Sequence, residues 1–248
     1  MDNRLADISK PSRHLNAGDG DLKQFLHLLR SDGHAFASRL LPELSIREIA
    51  VNIGPILDPE TVAPNHGIST VQKLSPRASS DVDRHSYSGV FGLDDFPLHS
   101  DYAHWNLPPR FLVLRCLTGS PFVSTYLLNT SAILDHTEGC VARAVVVARR
   151  SRPGHKICTM PVCFQKNGVE GLRWDFLFLH PANQAAKDVG ETIRQIQKDQ
   201  QMDVCLCNPG DTLIVDNWRM LHGRSAVPTS AMRRQLERIY ISELWPNL

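Results

Sequence analysis

Residues 210–224, GDTLIVDNWRMLHGR, join a short apolar segment to a histidine through a turn. The apolar part, TLIV at 212–215, is rich in β-branched side chains and has the length of a buried strand. The polar DNW that follows is turn-like, and Asp216 is expected to brace this turn. His222 is therefore predicted to lie near the mouth of a strand.

A second histidine occurs far upstream, in FPLHSDYAHW at residues 96–105. On an extended segment the side chains of His99 and Asp101 point to the same side, with Cα atoms about 6.5–7 Å apart, while Ser100 points away. Two imidazoles and one carboxylate are the ligand set of non-heme Fe(II) oxygenases, and they leave positions open on the metal. The same ligands can hold zinc in a hydrolase, and a loop histidine capped by a nearby aspartate is the simplest alternative.

The stretch RRQLERIYIS at 233–242 adds a second feature. Alternation along a strand predicts two opposite faces: Arg234, Leu236, Arg238 and Tyr240 on one, and Gln235, Glu237 and Ile239 on the other. If the first face turns inward, two guanidinium groups enter a barrel, and a buried arginine without a partner is costly. A metal-bound dicarboxylate would supply that partner through a bidentate contact. The alternative is a surface strand whose Arg234 and Glu237 contact solvent.

Composition places the chain among globular proteins. It has 248 residues, 42% of them hydrophobic and 21% charged, and a net charge of +1. Because the net charge is small, we expect no nucleic-acid partner. No apolar run approaches the roughly 18 residues of a membrane span. A cytoplasmic location is therefore expected. The sequence contains no CxxC pair, which is the spacing that would suggest structural zinc. The six cysteines are therefore expected to be free, buried thiols; they are Cys116, Cys140, Cys158, Cys163, Cys205 and Cys207.

The chain is expected to form a single domain, 1–248, with a mainly β fold: a barrel or sandwich with flanking helices. Helices are predicted at 21–33 and at about 184–200, after a loose lead-in at 1–20, and a loop is predicted at 75–96. The predicted strands are VQKL (71–74), RFLVLRCL (110–117), VSTYLL (123–128), RAVVVA (143–148), HKICTMPV (155–162), LRWDFLFL (172–179), DTLIVD (211–216) and RRQLERIYIS (233–242).

Three stretches together carry a resemblance to a known family: FPLHSDYAHWNLPPRFLVLRCL, GDTLIVDNWRMLHGR and RRQLER. They resemble the Fe(II)/2-oxoglutarate-dependent dioxygenases of the taurine dioxygenase superfamily, which includes clavaminate synthase-like and γ-butyrobetaine hydroxylase-like enzymes. The resemblance runs from about residue 85 to the C-terminus, and residues 1–80 match less clearly. It implies a double-stranded β-helix in which His99, Asp101 and His222 are the iron ligands.

The resemblance also implies a reaction. Arg234 would bind the C5 carboxylate of 2-oxoglutarate with help from the Thr125 hydroxyl, for which Thr118 is a rival. With Fe(II) as cofactor and 2-oxoglutarate and O2 as co-substrates, the expected activity is hydroxylation of an unactivated C–H in a small polar molecule, an amino acid or a derivative, with release of succinate and CO2. Desaturation or ring closure, a non-catalytic small-ligand-binding β-barrel and a zinc hydrolase are the alternatives.

Candidate substrate-binding residues lie around these motifs: Arg238, Trp105, Arg173, Asp175, Tyr87 and Ser88. On a strand, Arg173 and Asp175 would share a face and offer opposite charges to a zwitterion, although a salt-bridged surface strand is an equal alternative. The 75–96 segment is expected to act as a lid over the site. His104, His180 and Asn217 are interpreted as structural, and a homodimer is compatible with the sequence.

Overall fold

Short strands dominate the part of the chain that the computed structural model describes, residues 15–16, 22–64, 67–137, 139–149 and 158–246. The strands are β1 (Leu15–Asn16), β2 (His34–Ser38), β3 (Ile56–Leu57), β4 (Gln72–Leu74), β5 (Phe96–His99), β6 (Phe111–Thr118), β7 (Ser124–Asn129), β8 (Val145–Ala148), β9 (Thr159–Pro161), β10 (Cys163–Lys166), β11 (Val169–Leu172), β12 (Leu179–Pro181), β13 (Met202–Cys205), β14 (Thr212–Asp216), β15 (Met220–Arg224) and β16 (Gln235–Ile241). The helices are α1 (Leu22–Asp32), α2 (Ile46–Ile53), α3 (Pro59–Val62), α4 (Tyr87–Phe91), α5 (Thr130–His136) and α6 (Gln184–Gln200).

Two sheets form the centre of the fold. The larger has the strand order β1-β2-β14-β6-β16-β3, with β4 also paired to β16, and the smaller has the order β13-β7-β15-β5. Apart from the parallel β1–β2 contact, the strands of these sheets pair antiparallel. Consecutive side chains on a strand therefore face alternately the partner sheet and the outer layers.

The core lies in three layers. The inner layer joins the two sheets, with Leu112, Leu213 and Leu236 from the larger sheet packed against Leu127 and Val204 from the smaller one. On the outer face of the larger sheet, α1 and α2 bury their apolar faces. On the outer face of the smaller sheet, α5, α6 and the β12-β8-β9 sheet form the third layer. The inner layer is where side chains of both sheets meet.

The predicted mainly β fold with two facing sheets and flanking helices is confirmed. Helices α1 and α6 lie within the predicted ranges 21–33 and about 184–200. The predicted strand at 172–179 is wrong, because β11 ends at Leu172 and β12 begins only at Leu179. The carboxylate of Asp175 accepts hydrogen bonds from the amides of Leu177 and Phe178, 2.7 Å each, and this local contact turns the chain.

The 75–96 segment contains more regular structure than the loop we predicted. It includes a 3-10 turn at Ser79–Asp81, helix α4 and the first residue of β5. The Ser86 side chain accepts a hydrogen bond from the Gly89 amide and so caps α4. This helix brings Tyr87 toward the end of β5.

Some expectations concern residues outside the described ranges, namely most of the 1–20 lead-in and the start of the predicted strand at 155–162. All six cysteines are free, but the prediction that they are buried holds only for Cys116, since Cys158 is exposed and the other four are half-buried. Among the described residues, no helix is long and apolar enough to cross a bilayer.

Candidate metal centre

His99 and His222 are placed opposite each other by the pairing of β5 with β15. In this antiparallel pair His222 is the direct partner of His99, and the ring centroids are 4.5 Å apart. Leu98 packs in the outer layer, so alternation turns His99 inward. A bulge follows His222, where a side chain on Gly223 would lie 2.6 Å from the Phe96 carbonyl oxygen. Glycine at 223 therefore permits the close approach that brings the imidazoles together.

Asp101 completes a cluster whose candidate ligand atoms all lie within 4.8 Å of one another. Its Oδ1 is 3.6 Å from Nε2 of His99, and its Oδ2 is 3.6 Å from Nε2 of His222. The expectation of an extended segment through 99–101 is wrong, because β5 ends at His99 and Asp101 lies in the following turn. The three side chains nevertheless converge, and all three are buried.

Asn217 holds Asp101 in this turn. Its Oδ1 accepts from the Asp101 amide at 2.8 Å, and its Nδ2 donates to the carbonyls of Asp101, 3.1 Å, and Pro109, 2.9 Å. Asp216 braces the neighbouring turn as expected, since its carboxylate accepts from the Trp218 amide and from Nε of Arg219. The DNW turn thus links the two distant halves of the cluster.

The orientation of His99 leaves a nitrogen available for a metal. Its Nδ1 is 2.8 Å from the Pro97 carbonyl, so Nδ1 carries the proton and Nε2 presents its lone pair to the cluster. Burial lowers the pKa of His99, but Asp101, Asp175 and the Pro97 carbonyl together outweigh burial and the pKa is raised overall. Burial lowers the pKa of His222, which favours the neutral imidazole that ligates metals.

Asp101 is held in its charged form. Burial alone would raise its pKa, but Arg238 and His222 outweigh burial and hold the pKa well below the usual range. Nη1 of Arg238 is 3.1 Å from Oδ2 and 3.3 Å from Oδ1, and the Tyr240 hydroxyl donates to Oδ2 at 2.7 Å. Two imidazole nitrogens and an anionic oxygen are donors that suit a divalent transition metal such as iron. The residues present therefore fit a metal ion.

Arg234 lies at the entrance to β16 and is 7% exposed. It forms no ion pair with any described residue, and its Nε has no hydrogen-bond partner among them. Burial lowers its pKa, yet a guanidinium stays protonated in proteins. An unpaired buried cation is costly, so this position suits an anionic ligand.

Thr125 belongs to the same inner layer. It lies on β7 directly opposite Val204, with Leu127 next on the same face, and it is 4% exposed. Its hydroxyl forms no hydrogen bond with a described residue. The rival residue Thr118 is exposed at the end of β6, so the structure places Thr125, and not Thr118, inside the barrel.

Arg238 is fixed from two sides. Besides Asp101, it contacts Gln72 on the adjacent strand β4, whose Oε1 accepts from Nη2 at 2.6 Å and from Nε at 3.2 Å. Burial lowers its pKa, but Asp101 outweighs that effect and the pKa is raised. The guanidinium is therefore a permanent positive charge beside the candidate metal ligands.

Tyr87 and Asp175 approach the cluster from another side. The Tyr87 ring stacks on the His99 imidazole, with centroids 4.2 Å apart at 25°. Burial, and secondarily the negative charge of Asp175, raises the pKa of Tyr87. Asp175 is 2% exposed, and burial raises its pKa as well. A carboxyl group and a phenol thus lie beside one imidazole of the candidate metal centre.

Arg173 does not share this position, which corrects the expectation that Arg173 and Asp175 lie on one face of a strand. Its guanidinium donates to the carbonyls of Ala103, Trp105 and Asn106 and lies over the Phe164 ring. It is 2% exposed, so the surface-strand alternative is also wrong. Arg173 fixes the loop after Asp101 through these three carbonyl contacts, and its Nε has no hydrogen-bond partner among the described residues.

Two other expected substrate residues lie further from the ligand atoms. Trp105 stacks on Tyr102, with ring centroids 4.0 Å apart, and Tyr102 contacts Tyr240 edge-on. Ser88 is half-buried on α4, where its carbonyl accepts from Gly92. These residues surround the cluster without touching its ligand atoms.

Sequence reasoning missed Gln72 and Tyr240. Alternation had placed Tyr240 on the inward face of its strand, which was a usable signal, but no role was assigned to it. Gln72 contacts Arg238 only through the pairing of β4 with β16, and that pairing leaves no mark on the local sequence.

The fold is similar to that of solved oxygenase structures. Three solved structures share the fold. An asparagine oxygenase in complex with Fe(II), 2S,3S-3-hydroxyasparagine and succinate is 16% identical, with a TM-score of 0.67 over 89% of this chain and 78% of that one. PvcB from Pseudomonas aeruginosa is 20% identical, with a TM-score of 0.64 over 94% of this chain and 83% of that one. The non-heme iron oxygenase OrfP in complex with Fe, succinate and (3S)-hydroxy-L-Arg is 15% identical, with a TM-score of 0.59 over 87% of this chain and 76% of that one.

A sequence relative adds to this likeness. The chain is 26% identical over 177 residues to an L-lysine 3-hydroxylase of Catenulispora acidiphila, which covers 66% of this chain. The chain spans about half of that relative, 48% of its length. No protein-family model matches the chain. The solved oxygenase structures thus confirm the expected fold, and the sequence relative is a hydroxylase by name.

Proposed function

We propose that the chain is an Fe(II)- and 2-oxoglutarate-dependent oxygenase that hydroxylates an amino acid or a small amino-acid derivative. One observation carries the proposal: His99, Asp101 and His222 converge within 4.8 Å, in a barrel that also buries the unpaired cation Arg234. When bound, iron with 2-oxoglutarate and O2 supplies the oxidation of an unactivated C–H, with release of succinate and CO2. The protein supplies binding, orientation and exclusion of water.

The co-substrate would bind between the metal ligands and Arg234. Nε2 of each histidine and an oxygen of Asp101 would hold the iron and leave three positions open. Arg234 would receive the far carboxylate of 2-oxoglutarate, because that anion offsets the cost of a buried guanidinium. The Thr125 hydroxyl, which has no partner among the described residues, is a candidate second donor to the same carboxylate.

Opposite charges on two sides of the ligands suit an amino acid as substrate. Arg238 contacts Asp101, and Asp175 lies beside the Tyr87 ring that stacks on His99. We assign the substrate carboxylate to Arg238 and the ammonium group to Asp175, where a bound cation would also stabilise the ionised form of that buried carboxyl. The hydroxylated asparagine, hydroxylated arginine and lysine in the names of similar proteins support this substrate class.

The 75–96 segment would close over the substrate. It carries Tyr87, which contacts His99, and it is tied down by Arg224, whose Nη2 donates to the Gly92 and Asp94 carbonyls. Tyr87 and Ser88 would then face the substrate only in the closed form, with Trp105 at the edge of the site. Limited proteolysis checks this: cutting within 75–96 should slow when 2-oxoglutarate and substrate are added, and unchanged cutting would argue against a lid.

The activity test uses anaerobic protein, Fe(II) and 2-oxoglutarate, followed by a succinate-release screen against the standard amino acids in air. We expect a visible metal-to-ligand charge-transfer band and succinate that rises with one or a few amino acids. The product should gain one oxygen atom; loss of two hydrogens instead would identify desaturation or ring closure. A protein that shows neither the band nor succinate would be a non-catalytic binding barrel.

Asp101→Ala and Asp203→Ala form a matched pair for this test. Asp203 is exposed on β13, away from the histidines, so only the Asp101 variant should lose the band. A homodimer and a cytoplasmic location stay predictions of the sequence.

A further inference from the structure

Tyr240 is the phenol that lies deepest in the inner core, and its hydroxyl is aimed at a candidate metal ligand. The residue is 0% exposed, and its ring packs with Leu112, Leu127 and Leu236 in the layer between the two sheets. Its hydroxyl donates to Oδ2 of Asp101 at 2.7 Å. A buried phenol needs a hydrogen-bond partner, and here that partner is the carboxylate of the candidate metal centre.

The two oxygens of Asp101 have different surroundings. Oδ2 accepts from Tyr240 at 2.7 Å and from Arg238 at 3.1 Å, whereas Oδ1 receives only the longer 3.3 Å contact from the same arginine nitrogen. An ionised carboxylate has about four lone-pair positions, roughly two on each oxygen. Both positions on Oδ2 are therefore used, and Oδ1 keeps capacity for another partner. Each oxygen also lies 3.6 Å from one imidazole nitrogen, Oδ1 from Nε2 of His99 and Oδ2 from Nε2 of His222.

We propose that Tyr240 is a positioning residue that keeps Oδ2 of Asp101 in a hydrogen bond and so presents Oδ1 alone to the metal ion. This inference rests on the proposed function, because it assumes that the cluster binds a metal. A carboxylate that ligates through one oxygen leaves three positions on an octahedral ion, whereas one that chelates through both leaves two. The hydroxyl therefore preserves the position that a second co-substrate needs.

The strand geometry explains why this residue is suited to the role. Tyr240 pairs across β16–β6 with Leu112, and β16 has neighbours on both sides, so the phenol has little freedom to move. The Tyr102 ring contacts it edge-on at 5.3 Å. Partners that hydrogen-bond a ligating carboxylate typically affect metal affinity by about 10–100-fold.

The test compares Tyr240→Phe with Tyr126→Phe by anaerobic titration with Co(II). Tyr126 is half-buried in the middle of β7, and its hydroxyl also donates to a carboxylate, that of Asp95, in an exposed contact. It therefore controls for loss of a phenolic hydroxyl. We expect the Kd for Co(II) to rise about 10–100-fold in Tyr240→Phe and to stay unchanged in Tyr126→Phe. A purely structural role would lower the melting temperature of Tyr240→Phe and leave its Kd for Co(II) as in the wild type, and that result would overturn the proposal.

A second measurement does not depend on the variant folding. In a crystal structure of the Co(II)-loaded wild type, Oδ1 of Asp101 should ligate the ion while Oδ2 stays within hydrogen-bond distance of Tyr240. Ligation through Oδ2, or through both oxygens, would overturn the inference. Wild-type protein that binds no Co(II) would instead count against the metal centre itself, which separates the two failures.

Discussion

His99 and His222 are direct partners across the β5–β15 pair, with their ring centroids 4.5 Å apart. Both strands are paired in the smaller sheet, and β15 is flanked by β7 on its other side. Side chains placed by paired strands have less freedom than side chains on loops, which favours a preformed site. The third member, Asp101, lies on a turn and depends on hydrogen bonds for its position.

Replacement of His222 should remove the metal site without unfolding the chain. We expect His222→Ala to lose Co(II) binding and succinate formation, because two of three ligands hold a divalent ion poorly. His180→Ala is the matched control, since His180 is exposed on β12. Metal titration and far-UV circular dichroism check the pair, and full activity in His222→Ala would refute the assignment.

Metal binding should stabilise the fold. A ligand at a hundredfold excess over its Kd adds about 2.7 kcal/mol to the free energy of unfolding. For a chain of 248 residues, this corresponds to a rise in melting temperature of roughly 5–10 °C. Thermal scans with Co(II), and with chelator added afterwards, measure the effect. Asp101→Asn keeps the shape of the side chain but should abolish the shift.

Replacement of Arg234 should change the KM for 2-oxoglutarate more than the KM for the amino acid. Arg234→Lys keeps the charge but loses the bidentate contact. We expect the KM for 2-oxoglutarate to rise about 10–100-fold, which is the factor that corresponds to losing one hydrogen bond to a charged group. The KM for the amino acid should change much less. Arg233→Lys is the control, because Arg233 is exposed beside it. Equal changes in both KM values would place Arg234 elsewhere in the mechanism.

Asn217 should matter for stability as well as for metal binding. Asn217→Ala removes three buried hydrogen bonds and leaves the Asp101 amide without its partner. The cost is about 1–3 kcal/mol, visible as a lower melting temperature, together with weaker Co(II) binding as Asp101 loses its fixed turn. Gln195→Ala, on the exposed face of α6, should change neither quantity.

The sequence predicted those features that repeat along the chain or lie close together in it. Short β-branched and aromatic segments identified most strands, and alternation predicted the inward face of β16. The apolar face of residues 21–33 located α1, and α6 also lies where a helix was predicted. The spacing of His99 and Asp101 singled out two residues that the structure brings together with His222, although the local geometry differs from the extended segment that we expected. The same alternation assigned Arg173 and Asp175 to one face of a strand. It fails there because the Asp175 side chain accepts hydrogen bonds from nearby backbone amides and turns the chain.

Features that depend on strand pairing could not be read from the sequence. Gln72 meets Arg238 only because β4 joins the edge of β16, and His222 meets His99 only because β5 pairs with β15. Thr125 and Thr118 differ in burial because β7 lies inside the smaller sheet whereas Thr118 is at a strand end. Tertiary context of this kind decides which of two similar residues points into the barrel.

The carboxamide of Asn217 joins residues 116 positions apart in the chain. Contacts of such long range form late, since closing a loop of that size costs entropy that local structure does not repay. The proposed metal site therefore takes shape only after both halves of the barrel have folded together, and a growing chain that ends before His222 lacks one of the three candidate ligands.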